Sequence, residues 1–233
     1  MSLKRVLLKL SGESIAGQAT PISEESLKRT VLEIKSACAS NIVQLAIVIG
    51  AGNIWRGAQK NIDRVTADKM GMIATVMNSM ALNDAFLREG VKSRVFSAYG
   101  VCGFVENFNR EKAVRSINDG YITIFAGGIG NPFFTTDTTA ALRAAEIEAA
   151  IILKATQVDG VYDADPKQVA GASKYDKLTF KEAIDKQLKI MDSSAFALCM
   201  QSNISVAVFD FYKNGNLRKV LSGEKVGTLI TGN

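Results

Sequence analysis

The chain has 233 residues, no histidine, three cysteines and a net charge of +5, from 28 Lys+Arg against 23 Asp+Glu. Without histidine there is no Ser-His-Asp triad, no imidazole metal site and no imidazole acid–base chemistry. No apolar run approaches the roughly 20 residues of a membrane-spanning helix, and no Lys/Arg run exceeds two residues, so nothing reads as a dedicated nucleic-acid surface.

Arg5–Leu10 reads as a buried strand with one misfit, Lys9, broken by Ser11-Gly12. A lysine at the carboxyl end of an apolar strand lies where open α/β sheets bind ligands, although an edge lysine snorkelling to solvent leaves the same trace. The segment around Lys4-Arg5 is too short and interrupted for a signal peptide. Residues 23–38 read as a helix, capped by Ser23 and with Leu27, Val31 and Ile34 on one face. Residues 43–49 form a second apolar strand, running into Gly50-Ala-Gly-Asn-Ile-Trp-Arg-Gly57. That loop is not the GxGxxG of a Rossmann site, and no GxxxxGK[ST] occurs in the chain. Its Arg56 has the donor fork that suits a phosphate.

Asp68 reads as part of a polar stretch before a long helix at about 71–88. Met72, Val76, Met80 and Ala81 form that helix's apolar stripe, with the methionines read as core filler. Residues 94–98 read as a strand, 99–108 as irregular, 110–118 as a short helix and 121–126 as a strand. Then comes Gly127-Gly-Ile-Gly-Asn-Pro-Phe-Phe-Thr-Thr-Asp137, followed by an alanine-rich helix to about 148. Glycines that allow close approach, then threonines and an aspartate at a helix N-terminus, outline a phosphate site; a glycine turn ending in an N-cap is the plainer alternative. Residues 150–155 repeat the first strand's oddity, with Lys154 near the carboxyl end. The loop 156–166 carries Asp163 and Asp165, but no EF-hand pattern completes a calcium site. Residues 167–177 read as a mobile polar loop, with helices to about 188 and 202, a strand at 204–209, a helix at 215–222 and a last strand at 228–231. Cys38, Cys102 and Cys199 have no metal spacing and read as reduced, buried thiols of a cytoplasmic protein.

Strands alternating with helices predict a three-layer αβα sandwich around a mostly parallel sheet. In such a sheet the loops at 11–17, 50–57, 127–137 and 155–166 converge at one edge. They would bring together Lys9, Arg56, the hydroxyls of Thr135 and Thr136, backbone N–H groups and a few carboxylates. That set suits phosphoryl transfer, whose transition state needs positioned positive charge and little covalent help.

K-L-S-G at 9–12, V-I-G-A-G-N-I-W-R-G at 48–57, D-K-M-G at 68–71 and G-N-P-F-F-T-T-D at 130–137 resemble the bacterial uridylate (UMP) kinases of the amino-acid-kinase superfamily. So do L-K-A-T-Q-V-D-G-V-Y-D-A-D-P at 153–166, I-M-D-S-S-A-F at 190–196 and G-E-K-V-G-T-L-I-T at 223–231. The resemblance spans the chain and implies one domain, 1–233, with an acceptor lobe at 1–150 and an ATP lobe at 151–233. It implies transfer from ATP with Mg²⁺ to UMP. Lys9, Leu10, Ser11 and Gly12 would cradle the ATP phosphates, with Lys9 stabilising the transferred group. Gly52 and Arg56 would also serve the phosphates, and Thr156, Tyr162 and Asp165 would line the adenosine side. Ala51, Asp68, Ile129, Gly130, Asn131, Pro132, Phe133, Phe134, Thr135 and Thr136 would hold UMP. Asp192 would orient the catalytic lysine, Asp137 would be a helper of unassigned role, and Lys154 a possible phosphate ligand. No resident metal site is implied. The family further implies a homohexamer built from dimers and feedback inhibition by UTP. Ala51 stands where the family often has Gly, which a backbone N–H contact tolerates. The stretches at 16–21 and after Arg56 are short, so GTP activation is not carried over. The alternatives are a superfamily kinase acting on a carboxylate or carbamate, and a nucleotide-binding regulator without turnover.

Overall fold

In the computed structural model of the chain, residues 5–39, 43–56, 61–101, 103–166, 168–169 and 171–232 are described. Strand β1 (Arg5–Leu10) lies near the middle of the sheet because both of its faces are apolar: Val6, Leu7, Leu8 and Leu10 are all fully buried. Such two-sided burial is the mark of a parallel strand covered by helices on both faces. A 3₁₀ turn (Gly12–Ile15) follows, then helix α1 (Glu24–Ala39), β2 (Gln44–Ile49), α2 (Arg64–Arg88), β3 (Ser93–Ser97), β4 (Glu106–Asn107) and α3 (Arg110–Asn118). The chain continues with β5 (Ile122–Ala126), α4 (Thr136–Glu146), β6 (Ile151–Thr156), β7 (Val161–Tyr162), β8 (Lys174–Tyr175) and β9 (Lys177–Thr179). It ends with α5 (Phe180–Asp185), α6 (Ser193–Gln201), β10 (Ser205–Asp210), α7 (Asn216–Leu221) and β11 (Thr228–Thr231).

Among the described residues nine strands form one sheet in the order β4-β3-β5-β2-β1-β6-β10-β11-β9, parallel throughout except at β10–β11. The small β7–β8 pair stands apart. Alternation along the strands divides the core into two layers. Leu7, Val48, Phe125, Ile152 and Val206 pack under α3, α4, α5 and α6. Leu8, Ile47, Ile49, Ile124 and Leu153 pack under α1, α2 and α7. The sandwich is therefore the three-layer αβα arrangement that the sequence predicts. In α4, Ala140, Ala141 and Ala144 are 0–1% exposed, and their small side chains let the helix lie close on β1 and β2.

Strand order reverses at β1: the chain builds outward through β2 on one side and returns to β6 on the other. Ligand crevices of open α/β sheets form at that switch point, beyond the strands' carboxyl ends. Two departures from the sequence reading matter here. Helix α2 begins at Arg64, because Asp63 caps it by accepting the Thr66 N–H at 3.0 Å, so Asp68 is helical rather than part of a preceding stretch. The loop after β6 includes the β7–β8 hairpin, whose two-residue strands are too short to show a period. Among the described residues no helix is long and apolar enough to cross a membrane.

Candidate active site

Lys9 and Lys154 are register partners on adjacent parallel strands, so both side chains leave the same face of the sheet at the switch point. Asp137, in the first turn of α4, meets both. Lys9 Nζ is 3.1 Å from its Oδ1, and Lys154 Nζ donates to its Oδ2 at 2.6 Å. All three side chains are 13–15% exposed, which leaves a narrow opening to solvent. Lys154 also donates to the Ile190 carbonyl. Burial pushes the Asp137 carboxyl up, but the two ammonium groups and their hydrogen bonds outweigh it and hold it below the ordinary aspartate value. Burial pulls Lys154 below the usual lysine range, with Asp137 opposing the shift and Lys9 adding to it. The cluster carries one net positive charge, beside a helix N-terminus whose first N–H groups favour anions.

Asp192 lies close by but does different work. It caps α6 by accepting the Ala195 N–H at 2.9 Å, and it accepts hydroxyl bonds from Thr135 and Thr138. The orienting contact expected of Asp192 on Lys9 falls instead to Asp137, because the Asp192 oxygens are taken by the N-cap and by α4 threonines. Its charge still reaches Lys154 and favours the ammonium form.

On one side of this cluster is a cavity of about 190 Å³. Its walls include Ala51, Gly52, Asp68, Ile129, Asn131, Phe134, Thr135 and Thr136 from the sequence-derived set. Asp68 Oδ2 accepts from Arg64 Nε and from the Phe133 N–H, both at 2.8 Å. The second contact holds Phe133 at φ +73°, the left-handed region that costs a bulky residue about 1–3 kcal/mol. The Phe133 ring is solvent-exposed and lies under Arg64 (5.6 Å to the ring centroid) rather than in the cavity wall. Gly130 and Pro132 line a neighbouring apolar groove along α2, and Asn131 borders both spaces. Trp55, Gly71, Met72 and Thr75 also wall the cavity, and sequence reasoning missed them. The signal was present: 68, 71, 72 and 75 fall on one helical face, visible once α2 is extended back past Asp68.

On the other side are two linked clefts, of about 300 and 640 Å³, that share Lys154 and Thr156. The smaller holds Lys9, Ser11 and Glu13. The larger holds Tyr162 and Asp165, and the Tyr162 hydroxyl donates to Asp159 at 2.7 Å. Leu10 is fully buried, so only its backbone can serve a ligand. Gly12 packs so tightly that a Cβ there would lie 2.0 Å from Asn53 Oδ1. Arg56 Nε donates to the Gly52 carbonyl at 2.9 Å, and its guanidinium pairs with Glu13 across the mouth. That pair is largely exposed and worth at most about 1 kcal/mol, so an incoming phosphate can replace the carboxylate. Glu13 and Gln157 join the donor side from the two loops expected there, whereas Phe211 and Tyr212 join it without any prior sequence signal.

Among the described residues no group of three or more acidic or cysteine side chains is placed to hold a metal ion. Cys199 is buried and its thiol is pushed up to about 12 by burial; Cys38 is half-buried and pushed to about 11. Neither is a nucleophile at neutral pH. Cys102 lies outside the described residues.

The family model described as the amino acid kinase family matches residues 4–210. The UMP kinase of Bacillus anthracis superposes with a TM-score of 0.96 at 37% identity, over 100% of this chain and 98% of its own. That of Ureaplasma parvum gives 0.92 at 36% identity, over 99% and 100%. The uridylate kinase of Archaeoglobus fulgidus gives 0.74 at 27% identity, over 99% and 100%. With its sheet, lysine pair and two flanking pockets, the chain belongs to the amino acid kinase family, where its likeness is to the UMP kinases.

Proposed function

We infer that this chain transfers the γ-phosphoryl group of ATP to UMP, giving ADP and UDP. The observation that carries the reading is Asp137 bridging Lys9 and Lys154 between a small acceptor cavity and a larger donor cleft. A UMP phosphate oxygen attacks the γ-phosphorus and the bond to the β-phosphate oxygen breaks, with ADP leaving. A phosphate monoester has its second pKa near about 6, so at neutral pH the attacking group is already mostly a dianion. No general base is required, which fits a chain without histidine.

Lys9 and Lys154 oppose the charge spread over the transferring oxygens, and Asp137 holds both ammonium groups in place. Ser11, Gly12 and the Leu10 backbone face the donor phosphates. Arg56 exchanges Glu13 for a phosphate and, with Gly52, completes the cradle. Thr156, Tyr162 and Asp165 face the nucleoside of ATP. Asp68 and the 129–136 loop face UMP, with the N–H of Ala51 available to its phosphate. Asp192 fixes α6 against the start of α4. In this reading residues 1–150 form the acceptor lobe and 151–233 the donor lobe. Mg²⁺ enters as MgATP, bound mainly by the triphosphate, and lowers the charge on its oxygens.

We further propose that the protein works in the cytoplasm as a homohexamer built from dimers, with UTP as feedback inhibitor. The support for a dimer is the outer face of α2, where Ile73, Met77 and Met80 are 63%, 51% and 41% exposed. The sequence reading assigned Met80 to the core. Together with Phe104 they border an apolar groove that suits a second copy of the same face. Turnover measured by ADP release with MgATP and a panel of UMP, CMP, AMP, acetylglutamate and carbamate tests the reaction. UMP as the preferred acceptor is the expected result; preference for an amino-acid derivative overturns the acceptor assignment.

A further inference from the structure

Beneath the two phosphate-facing loops lies a pair of amides that the proposed chemistry does not use. Asn78, on α2, is completely buried. Its Nδ2 donates to the Gly50 carbonyl at 2.8 Å and to Asn53 Oδ1 at 2.7 Å. Asn53 Nδ2 donates back to Asn78 Oδ1 at 3.1 Å and to the Pro21 carbonyl at 2.7 Å. A primary amide has two N–H donors, so all four donors of the pair are used. A buried asparagine is costly unless its polar atoms are satisfied, and here both partners of Asn78, Gly50 and Asn53, lie in the loop after β2 at the mouth of the site.

The loop Gly50–Asn53, which offers Ala51 to the acceptor and Gly52 to the donor, and the donor-side loop at Gly12 meet on this pair. The Gly50 N–H donates to the Leu10 carbonyl at 2.9 Å. A Cβ on Gly12 would lie 2.0 Å from Asn53 Oδ1 and 2.7 Å from the Gly50 carbonyl, so the donor loop rests directly on the amide and on the acceptor loop. One turn earlier on the same helix, Thr75 Oγ1 accepts the Gly127 N–H at 2.8 Å and holds the start of the third loop.

We propose that Asn78 is a positioning residue for phosphoryl transfer: acting through Asn53, it sets the separation and alignment of the donor-phosphate and acceptor-phosphate loops. The proposal rests on the reaction assigned above. Neither Asn78 nor Asn53 is assigned to a nucleotide, so losing the pair shifts the two substrates relative to each other without removing a ligand from either. A misplacement of about 1 Å costs about 100-fold in rate. The effect belongs in kcat, with little change in either KM.

The test is steady-state kinetics of the full chain with UMP and MgATP for wild type, Asn78→Asp and Asn53→Ala, alongside thermal unfolding. Wild-type turnover is the control for the reaction itself; its absence would count against the proposed function and not against the positioning role. Asn78→Asp keeps the shape but puts a carboxylate against the Gly50 carbonyl. The expected result is a kcat lower by about 100-fold, with both KM values within about threefold of wild type. Protonation gives that carboxyl a donor for the Gly50 carbonyl. The ratio of variant to wild-type kcat should therefore fall as pH rises from about 6 to about 9, since burial raises the carboxyl's pKa into that range. Asn53→Ala, which leaves Asn78 bonded to Gly50, should show the same kcat-selective loss and carries the test if Asn78→Asp does not fold. Wild-type kcat in the folded variants, or a loss confined to one substrate's KM, would overturn the proposal.

Discussion

Asp137 is pulled two ways, by burial and by its lysines, and its behaviour with pH follows from which wins. Its folded pKa lies below the unfolded value, so the stability it contributes is present above about pH 4 and lost as pH falls through the folded value. Asp137→Asn should flatten the acid limb of the stability curve, read from urea midpoints against pH. In the same variant Lys154 loses the neighbour that most favours its charged form, so its pKa drops further. The alkaline limb of residual kcat should then move to lower pH than in wild type; an unmoved limb would separate Lys154 from the chemistry. Asp68 is held by Arg64 and the strained Phe133 backbone on the acceptor side only. Asp68→Ala should raise the KM for UMP about tenfold or more while leaving that for MgATP near wild type, consistent with loss of charge-assisted hydrogen bonds of about 1.5–3 kcal/mol. Equal losses for both nucleotides would take Asp68 out of the acceptor pocket.

At the scale of elements, α4 and α2 build the site between them. Helix α4 must lie close to β1 for Asp137 to reach Lys9, and it does so on alanines. Ala144→Leu should cost about 1–3 kcal/mol through overpacking and lower kcat as Asp137 retreats, measured by denaturation and turnover together. Helix α2 is two-sided: Asp68, Thr75 and Asn78 face the loops, and Ile73, Met77 and Met80 face outward. Met77→Lys with Met80→Lys should shift the sedimentation profile toward a smaller species; an unchanged profile would remove that face from the assembly. Most elements were legible because their periods are long and their caps plain, as in β1, α3 and β11. The start of α2 was not, because its first turns carry few apolar residues and its cap at Asp63 follows a polar stretch. The β7–β8 pair was not, because two residues show no alternation.

At the scale of the whole molecule, the switch point places the site. Lys9 and Lys154 each looked like a misfit in an apolar strand, and sequence alone could mark both without showing that they stand side by side. That pairing comes from strand order, with β6 returning beside β1 after the chain has built outward through β2. For the same reason the motifs named Asp137 and Asp192 as candidates but gave the lysine-orienting role to Asp192: register and helix packing decide which carboxylate meets the lysines, and they bring Asp137 there. The glycine loops were visible at once because φ values of +62° to +91° at Gly127, Gly128 and Gly130 demand glycine. The wall from the start of α2, facing Gly128, and the donor-side wall from the loop after β10 required the fold.

The central claim is that the lysine pair is the transfer centre and the cavities beside it are the binding sites. The most direct measurement is single-turnover phosphoryl transfer from MgATP to UMP in wild type, Lys9→Ala and Lys154→Ala, with calorimetric binding of each nucleotide to the same proteins. The account predicts transfer slower by about 100- to 1,000-fold in each variant, as for loss of a preorganised transition-state donor, with nucleotide affinities changed far less. Transfer near the wild-type rate in Lys9→Ala, or loss of binding in proportion to the loss of rate, would contradict it.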